Sequence, residues 1–205
     1  MQITLTNTGK RYNREWIFRH CDYTFIPGHT YAITGPNGSG KSTLLQVIAG
    51  AILQSEGKVE FADPAAGNGN EHPAPYLQVS IAAPYLELIE EMTATELLGF
   101  HAIFKSLSQP IPAILEETGL HNAAHKQLRY FSSGMKQRLK LAQAFFSNSS
   151  VLLLDEPTTN LDSDGCELYH KLVRHFSKDK LVIVSSNDPQ EYSFCNEIIS
   201  ITDYK

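Results

Sequence analysis

The sequence predicts an α/β fold in which a parallel sheet is interrupted by a block of helices, and three observations predict it. VLLLD (151–155) and LVIVSS (181–186) are continuous apolar runs, the kind found in parallel strands covered on both faces. YAIT (31–34) runs into a glycine-rich loop and then a helical pattern, giving strand, loop, helix. The stretch from about 86 to 148 reads mostly as helices and separates that unit from the two apolar strands.

Along the first thirty residues, Ile3 and Leu5 and later Tyr23 and Phe25 alternate with polar neighbours, which predicts short strands before Pro27-Gly28 turns the chain into YAIT. After the glycine loop, STLLQVIAG carries Leu44, Leu45, Val47 and Ile48 at helical positions and stops at Gly50. From Ala62 to Pro75 the run ADPAAGNGNEHPAP has no apolar periodicity, so a surface loop and the most mobile segment are expected there. The terminal EIISITDYK reads as one last strand. No internal repeat, heptad pattern or charge block occurs. A chain of 205 residues is enough for one good-sized core with a small inserted subdomain, so residues 1–205 are expected to form a single domain.

Composition narrows the partners. The chain is 42% hydrophobic and 19% charged, and no apolar run approaches the roughly 20 residues that cross a bilayer, so a soluble protein is expected. MQITLTNTGKRY lacks the features of a secretory signal, which points to the cytoplasm. Cys21, Cys166 and Cys195 are odd in number and lack a CxxC pair, so they are expected to be reduced, mostly buried thiols. A net charge of −5 argues against a nucleic-acid partner.

Gly35, Gly40, Lys41 and Ser42 fit G-x4-G-K-[ST], the loop whose backbone N–H groups and following helix N-terminus bind phosphate oxygens. Gly35, Gly38 and Gly40 allow close approach and unusual dihedrals, with Pro36, Asn37 and Ser39 completing the loop. Lys41 reaches the terminal phosphates as a point charge, the Ser42 hydroxyl is a magnesium ligand, and Thr43 adds a phosphate donor. The expected ligand is thus a nucleoside triphosphate with Mg²⁺; the plainer alternative is a glycine helix entry without a ligand. VLLLDEP delivers Asp155 and Glu156 to the carboxyl edge of the sheet, where open α/β sheets bind ligands. There Asp155 can hold Mg²⁺ through its water shell and Glu156 can take a proton from the attacking water. Alone, the run is also compatible with an ordinary strand end.

The segment FSSGMKQR (131–138), upstream of the Asp155 strand, makes the reading specific. With GPNGSGKST, VLLLDEP and NLD (Asn160 to Asp162) in the same order, the chain resembles, nearly end to end, the ATPase subunit of an ABC transporter, with FSSGMKQR in place of the LSGGQ-type signature. The resemblance implies a phosphate-loop NTPase fold: a RecA-like core, an antiparallel β subdomain, and an inserted helical subdomain over about 86–148. It implies that two subunits sandwich two ATP molecules head to tail, as a homodimer, so that Ser132 and Gly134 face the partner's γ-phosphate; a serine hydroxyl and glycine N–H at a helix start suit an anion. A simple helix cap is compatible with that role. By the same resemblance Tyr12 stacks on adenine, with Trp16 or plain packing as alternatives. Asp162 corresponds to the aspartate expected at the subunit interface near the partner's Ser42. A separate transmembrane subunit is implied, docked on the helical insert where Tyr85, Leu86 and Phe100 line a groove or else pack in the core. The chain would then sit in the cytoplasm, peripheral on the inner face of the membrane, as a minimal cassette similar in size to subunits of small exporters.

Three positions depart from that family. Asn187 stands where a histidine is usual, and its amide carries neither a proton nor a positive charge. No glutamine stands near Pro84 or Tyr85, and Gln78 replaces it only if the alignment slips. Ser133 replaces the first signature glycine, a small change, followed by Met135. Because Lys41, Ser42, Asp155 and Glu156 are intact, the expectation is normal nucleotide binding with slowed hydrolysis. A soluble ATPase of the same type, or a regulatory module that scarcely hydrolyses ATP, are the competing functions.

Overall fold

Alternation at the amino end extends further than short strands. In the computed structural model, which describes residues 1–62 and 75–205, β1 (Gln2–Tyr12) and β2 (Glu15–Phe25) are 11 residues each. They pair antiparallel from Ile3 opposite Phe25 to Tyr12 opposite Glu15, with register shifts after Leu5, Thr8 and Lys10. Each shift flips the in–out alternation, which is why the strands look shorter in the sequence. β3 (Thr30–Thr34) follows the Pro27-Gly28 turn, and α1 (Lys41–Ile48) ends before Gly50, whose φ of 70° suits a glycine stop. β4 (Glu56–Ala62) pairs with the free side of β1, completing a three-stranded antiparallel sheet in the order β2-β1-β4. The surface loop expected from Ala62 to Pro75 lies almost wholly outside the described residues.

The second sheet is parallel. After α2 (Pro75–Gln78) come β5 (Val79–Ala82), then β6 (Val151–Asp155), β7 (Leu181–Ser185) and β8 (Glu197–Ser200), assembled with β3 in the order β5-β6-β7-β3-β8. EIISITDYK is therefore strand only through Ser200, and Ile201–Tyr204 forms a 3-10 turn that buries Ile201. On β6, Val151 and Leu153 face the core shared with α1 and the antiparallel sheet, while Leu152 and Leu154 face the core built by the helices on the other side. Both faces are covered, so the run is apolar throughout.

Between β5 and β6 stand α3 (Ala94–Phe104), α4 (Ile111–Glu117) and α5 (Ser133–Phe145), and α6 (Ser163–Phe176) and α7 (Pro189–Tyr192) follow β6 and β7. Helix does not begin at 86. Residues 86–93 run without regular structure until Thr93 and Glu96 form a capping box at the start of α3. Of the three free cysteines only Cys21 is buried; Cys166 and Cys195 are half-buried, which corrects the expectation of mostly buried thiols. Among the described residues no helix is long and apolar enough to cross a membrane.

Candidate active site

The loop from β3 to α1 is shaped by contacts that exclude side chains. A Cβ on Gly40, which sits at φ 102°, would meet Ile17 Cγ2 at 2.4 Å; one on Gly35 would meet Ile201 Cγ2 at 2.7 Å. The loop is thus pressed between β2 and the turn after β8. Ser39 N–H donates to Pro36 O at 3.1 Å, tightening the loop, and the ladder of α1 opens with Leu44 N–H to Gly40 O at 2.9 Å. Its first N–H groups are left directed outward, the arrangement that attracts an anion. Lys41 is 4% exposed and curls back so that Nζ donates to Gly35 O at 3.0 Å and Pro36 O at 3.3 Å. The Ser39 hydroxyl is buried without a partner among the described residues. Asn37, Gly38, Lys41, Ser42, Thr43 and Glu156 line a cleft of about 220 Å³ roofed by Ile17.

Across the cleft, β6 ends in the two acids. Asp155 is 1% exposed and its Oδ1 has no hydrogen-bond partner among the described residues. A buried carboxylate oxygen left unpaired is costly unless a ligand completes it. Among the described residues no group of three or more His, Cys, Asp or Glu side chains forms a metal cage. One hydroxyl at Ser42 and one carboxylate at Asp155 are oxygen donors of the kind that would suit Mg²⁺, an ion that usually keeps waters and phosphate oxygens beside one or two protein groups. Glu156 adopts φ 40°, a conformation costly for a non-glycine residue, and its N–H donates to Ser185 O at 2.8 Å. That kink puts Asp155 deep in the sheet and Glu156, half-buried, on the cleft. Asn187, just beyond β7, is exposed and donates from Nδ2 to Asn37 Oδ1 at 3.3 Å, so the exit of β7 touches the phosphate loop.

Gln78 stands at the amino end of β5, accepting a hydrogen bond from Ser150 at 3.1 Å, at the sheet edge opposite the cleft; it does not replace the missing glutamine. Tyr85 leaves the carboxyl end of β5 on the cleft side. Burial, and next the Asp155 carboxylate, push its phenol up to about 12, while the nearby Gln46 amide acts the other way. Gln46 was not anticipated. It lies one helical turn beyond Ser42 on α1, and that i, i+4 spacing is the signal that puts the two on one face. The turn carrying Tyr85 is fixed from α5, where Lys140 Nζ donates to Ala83 O at 3.2 Å and Pro84 O at 2.8 Å.

Ser132 and Gly134 do not line the cleft. Ser132 caps α5, accepting from Met135 N–H at 3.2 Å, and a Cβ on Gly134 would stand 3.0 Å from Asn160 O. The start of α5 is bound to the segment after β6: Gln137 Nε2 donates to Pro157 O at 2.8 Å and Arg138 Nη2 to Asp162 Oδ1 at 2.7 Å. Asp162 also caps α6, accepting from Gly165 N–H at 2.9 Å. The Arg138 bond first, and then the Gly165 N–H, hold its carboxyl below the ordinary range. Tyr12, 47% exposed with Lys10 Nζ 5.1 Å from its ring centre, is at the tip of the hairpin whose Ile17 rests on Gly40. Trp16 is flanked by Arg11 and Arg19 at 5.4 and 4.4 Å, which leaves Tyr12 the freer ring.

Three comparisons bear on this arrangement. The family model described as ABC transporter matches residues 18–159. The cytochrome c biogenesis ATP-binding export protein CcmA of Rhizobium etli is 31% identical over 196 residues, 92% of this chain and 89% of that protein. The ABC transporter ATP-binding protein YybJ of Bacillus subtilis is 29% identical over 203 residues, 98% of this chain and 89% of that one. Among solved structures, a dimeric ATP-binding cassette in a post-hydrolysis state with ADP and phosphate superposes with a TM-score of 0.80 at 25% identity, covering 97% of this chain and 93% of that one.

Proposed function

This chain belongs to the ABC transporter family and is an ABC-type ATPase, and from that premise we propose that it binds ATP with Mg²⁺, closes head to tail on a second copy, and so energises a separate membrane-embedded subunit. The observation that carries the proposal is the division of the machinery. Lys41, Ser42 and Glu156 surround one cleft, whereas Ser132 and Gly134 lie outside it, as half of a composite site would. Two copies in antiparallel apposition bring each Ser132 to the other's loop. In this reading Tyr12 supports the adenine and the chain rests peripherally on the inner face of the membrane.

Within one site, Lys41 exchanges its loop carbonyls for phosphate oxygens, and the N–H groups at the start of α1 take the remaining negative charge. Ser42 and Asp155 would hold magnesium, which supplies charge neutralisation at the phosphates. Glu156 accepts the proton of the attacking water. Asn187 donates an amide hydrogen bond but relays no proton, and this slows hydrolysis without weakening binding. Accordingly, Asn187→His raises phosphate release several-fold at saturating ATP with nucleotide affinity unchanged; an unaltered rate removes Asn187 as the cause of slow turnover.

Coupling to transport is tested by recovering the tagged chain from native membranes and identifying what accompanies it. An integral membrane protein in stoichiometric amount is the expected result. Recovery solely in soluble complexes overturns the transport reading and favours the soluble ATPase.

A further inference from the structure

Among the described residues, three carboxylate or ammonium groups are buried: Lys41, Asp155 and Glu191. The first two belong to the site already described. Glu191 does not touch it, and no motif called attention to it. A buried carboxylate is costly unless hydrogen bonds hold it, so its partners say what it is for.

Glu191 is 4% exposed and lies on α7, which starts two residues after Asn187. Its Oε1 accepts from Thr158 N–H at 2.7 Å and also from the Thr158 hydroxyl. Thr158 is two residues past Glu156, inside the turn closed by Thr159 N–H to Glu156 O at 3.1 Å. The Glu191 backbone carbonyl in turn accepts from Tyr169 Oη at 2.6 Å, anchoring α7 to α6. Its own segment is set by Asp188, whose N–H donates to Ser186 Oγ at 2.9 Å and whose carboxylate caps Gln190 N–H at 2.9 Å.

We propose that Glu191 is a positioning residue for hydrolysis, holding the turn that aims Glu156 into the cleft and tying it to the segment that carries Asn187. The proposal rests on the reading of Glu156 as the general base. A left-handed residue such as Glu156, at φ 40°, persists when its surroundings over-determine it. On one side Ser185 O fixes its N–H, and on the other Glu191 fixes the residue two positions on. Asn187 meanwhile contacts Asn37 of the phosphate loop. Glu191 thereby links the base, the β7 exit and the loop, and its loss leaves the loop intact while letting the base drift.

The test compares kcat and ATP affinity in Glu191→Ala, Glu191→Gln and Thr158→Val, each first shown to be folded. Glu191→Ala is expected to lower kcat on the order of tenfold, less than the hundredfold cost of a full ångström of misplacement, with affinity unchanged. Glu191→Gln keeps an acceptor where Oε1 stands and restores most of the rate. Thr158→Val removes one of the two bonds, lowers kcat by a smaller factor, and adds nothing in the Glu191→Ala background. Unchanged kcat in folded Glu191→Ala overturns the proposal, as does a parallel fall in kcat and affinity that Gln does not rescue. If Glu191→Ala does not fold, Thr158→Val decides, and an unchanged kcat there overturns it. Glu156→Gln measured alongside separates the two readings: inactive Glu156→Gln with fully active Glu191→Ala overturns the positioning role alone, whereas fully active Glu156→Gln overturns the base assignment and this role with it.

Discussion

Replacing Lys41 by alanine lowers ATP affinity on the order of a hundredfold while the fold survives. The ammonium is nearly excluded from water and is held by two carbonyls of the loop it serves. It is therefore already desolvated and aimed before nucleotide arrives, and little reorganisation opposes the exchange of Gly35 O and Pro36 O for phosphate oxygens. Hydrogen bonds involving a charged group contribute about 1.5–3 kcal/mol each, and one to two of them amount to roughly a hundredfold in affinity. Titration of a fluorescent ATP analogue into wild type and Lys41→Ala, with melting curves run on both, measures the loss. Retained affinity would mean that the phosphate loop is not the nucleotide site.

Glu156→Gln lowers phosphate release by on the order of a hundredfold or more and leaves nucleotide binding intact. Glutamine keeps the shape of the side chain and the backbone bond to Ser185 O, but its amide cannot accept a proton from water. A positioned general base contributes typically about 10²–10⁴-fold, and that factor is lost alone. Asp155, buried behind it, does not substitute, because the kink at Glu156 directs the two carboxylates to different places. Single-turnover phosphate release on wild type and Glu156→Gln is the measurement. Equal rates in both would remove Glu156 as the base, and the slowing attributed to Asn187 would then need another cause.

What the sequence made legible is what it encodes locally. The runs at 151–155 and 181–186 state their two-sided burial in every residue, and the glycine loop states its ligand in nine consecutive positions. Legibility failed where a contact joins distant parts of the chain. Glu191 reaches Thr158 across 33 positions and Lys140 reaches Ala83 across 57, and neither spacing leaves a periodic mark. Gln46 lay in plain view on α1, but its neighbour Tyr85 comes from the turn beyond β5, far along the chain. The long hairpin at the amino end was obscured for a different reason, since each bulge reverses the alternation that a sequence reader counts. Asp162 shows a further limit: its cap and its Arg138 bond are structural roles visible within one chain, whereas a role toward a second copy belongs to an interface that no single chain contains.

The alternating allegiance of β6 has a consequence for cooperativity. Because Val151 and Leu153 belong to one core and Leu152 and Leu154 to the other, the strand is a party wall between them. Neither core can melt by itself without exposing one side of that wall, so the packing of each opposes the loss of the other. Asp155 and Glu156 are delivered from the end of this wall, whose residues are all buried. Asn187, by contrast, stands on an exposed turn beyond β7. Burial is thus graded across the site, deep at Asp155 and shallow at Asn187.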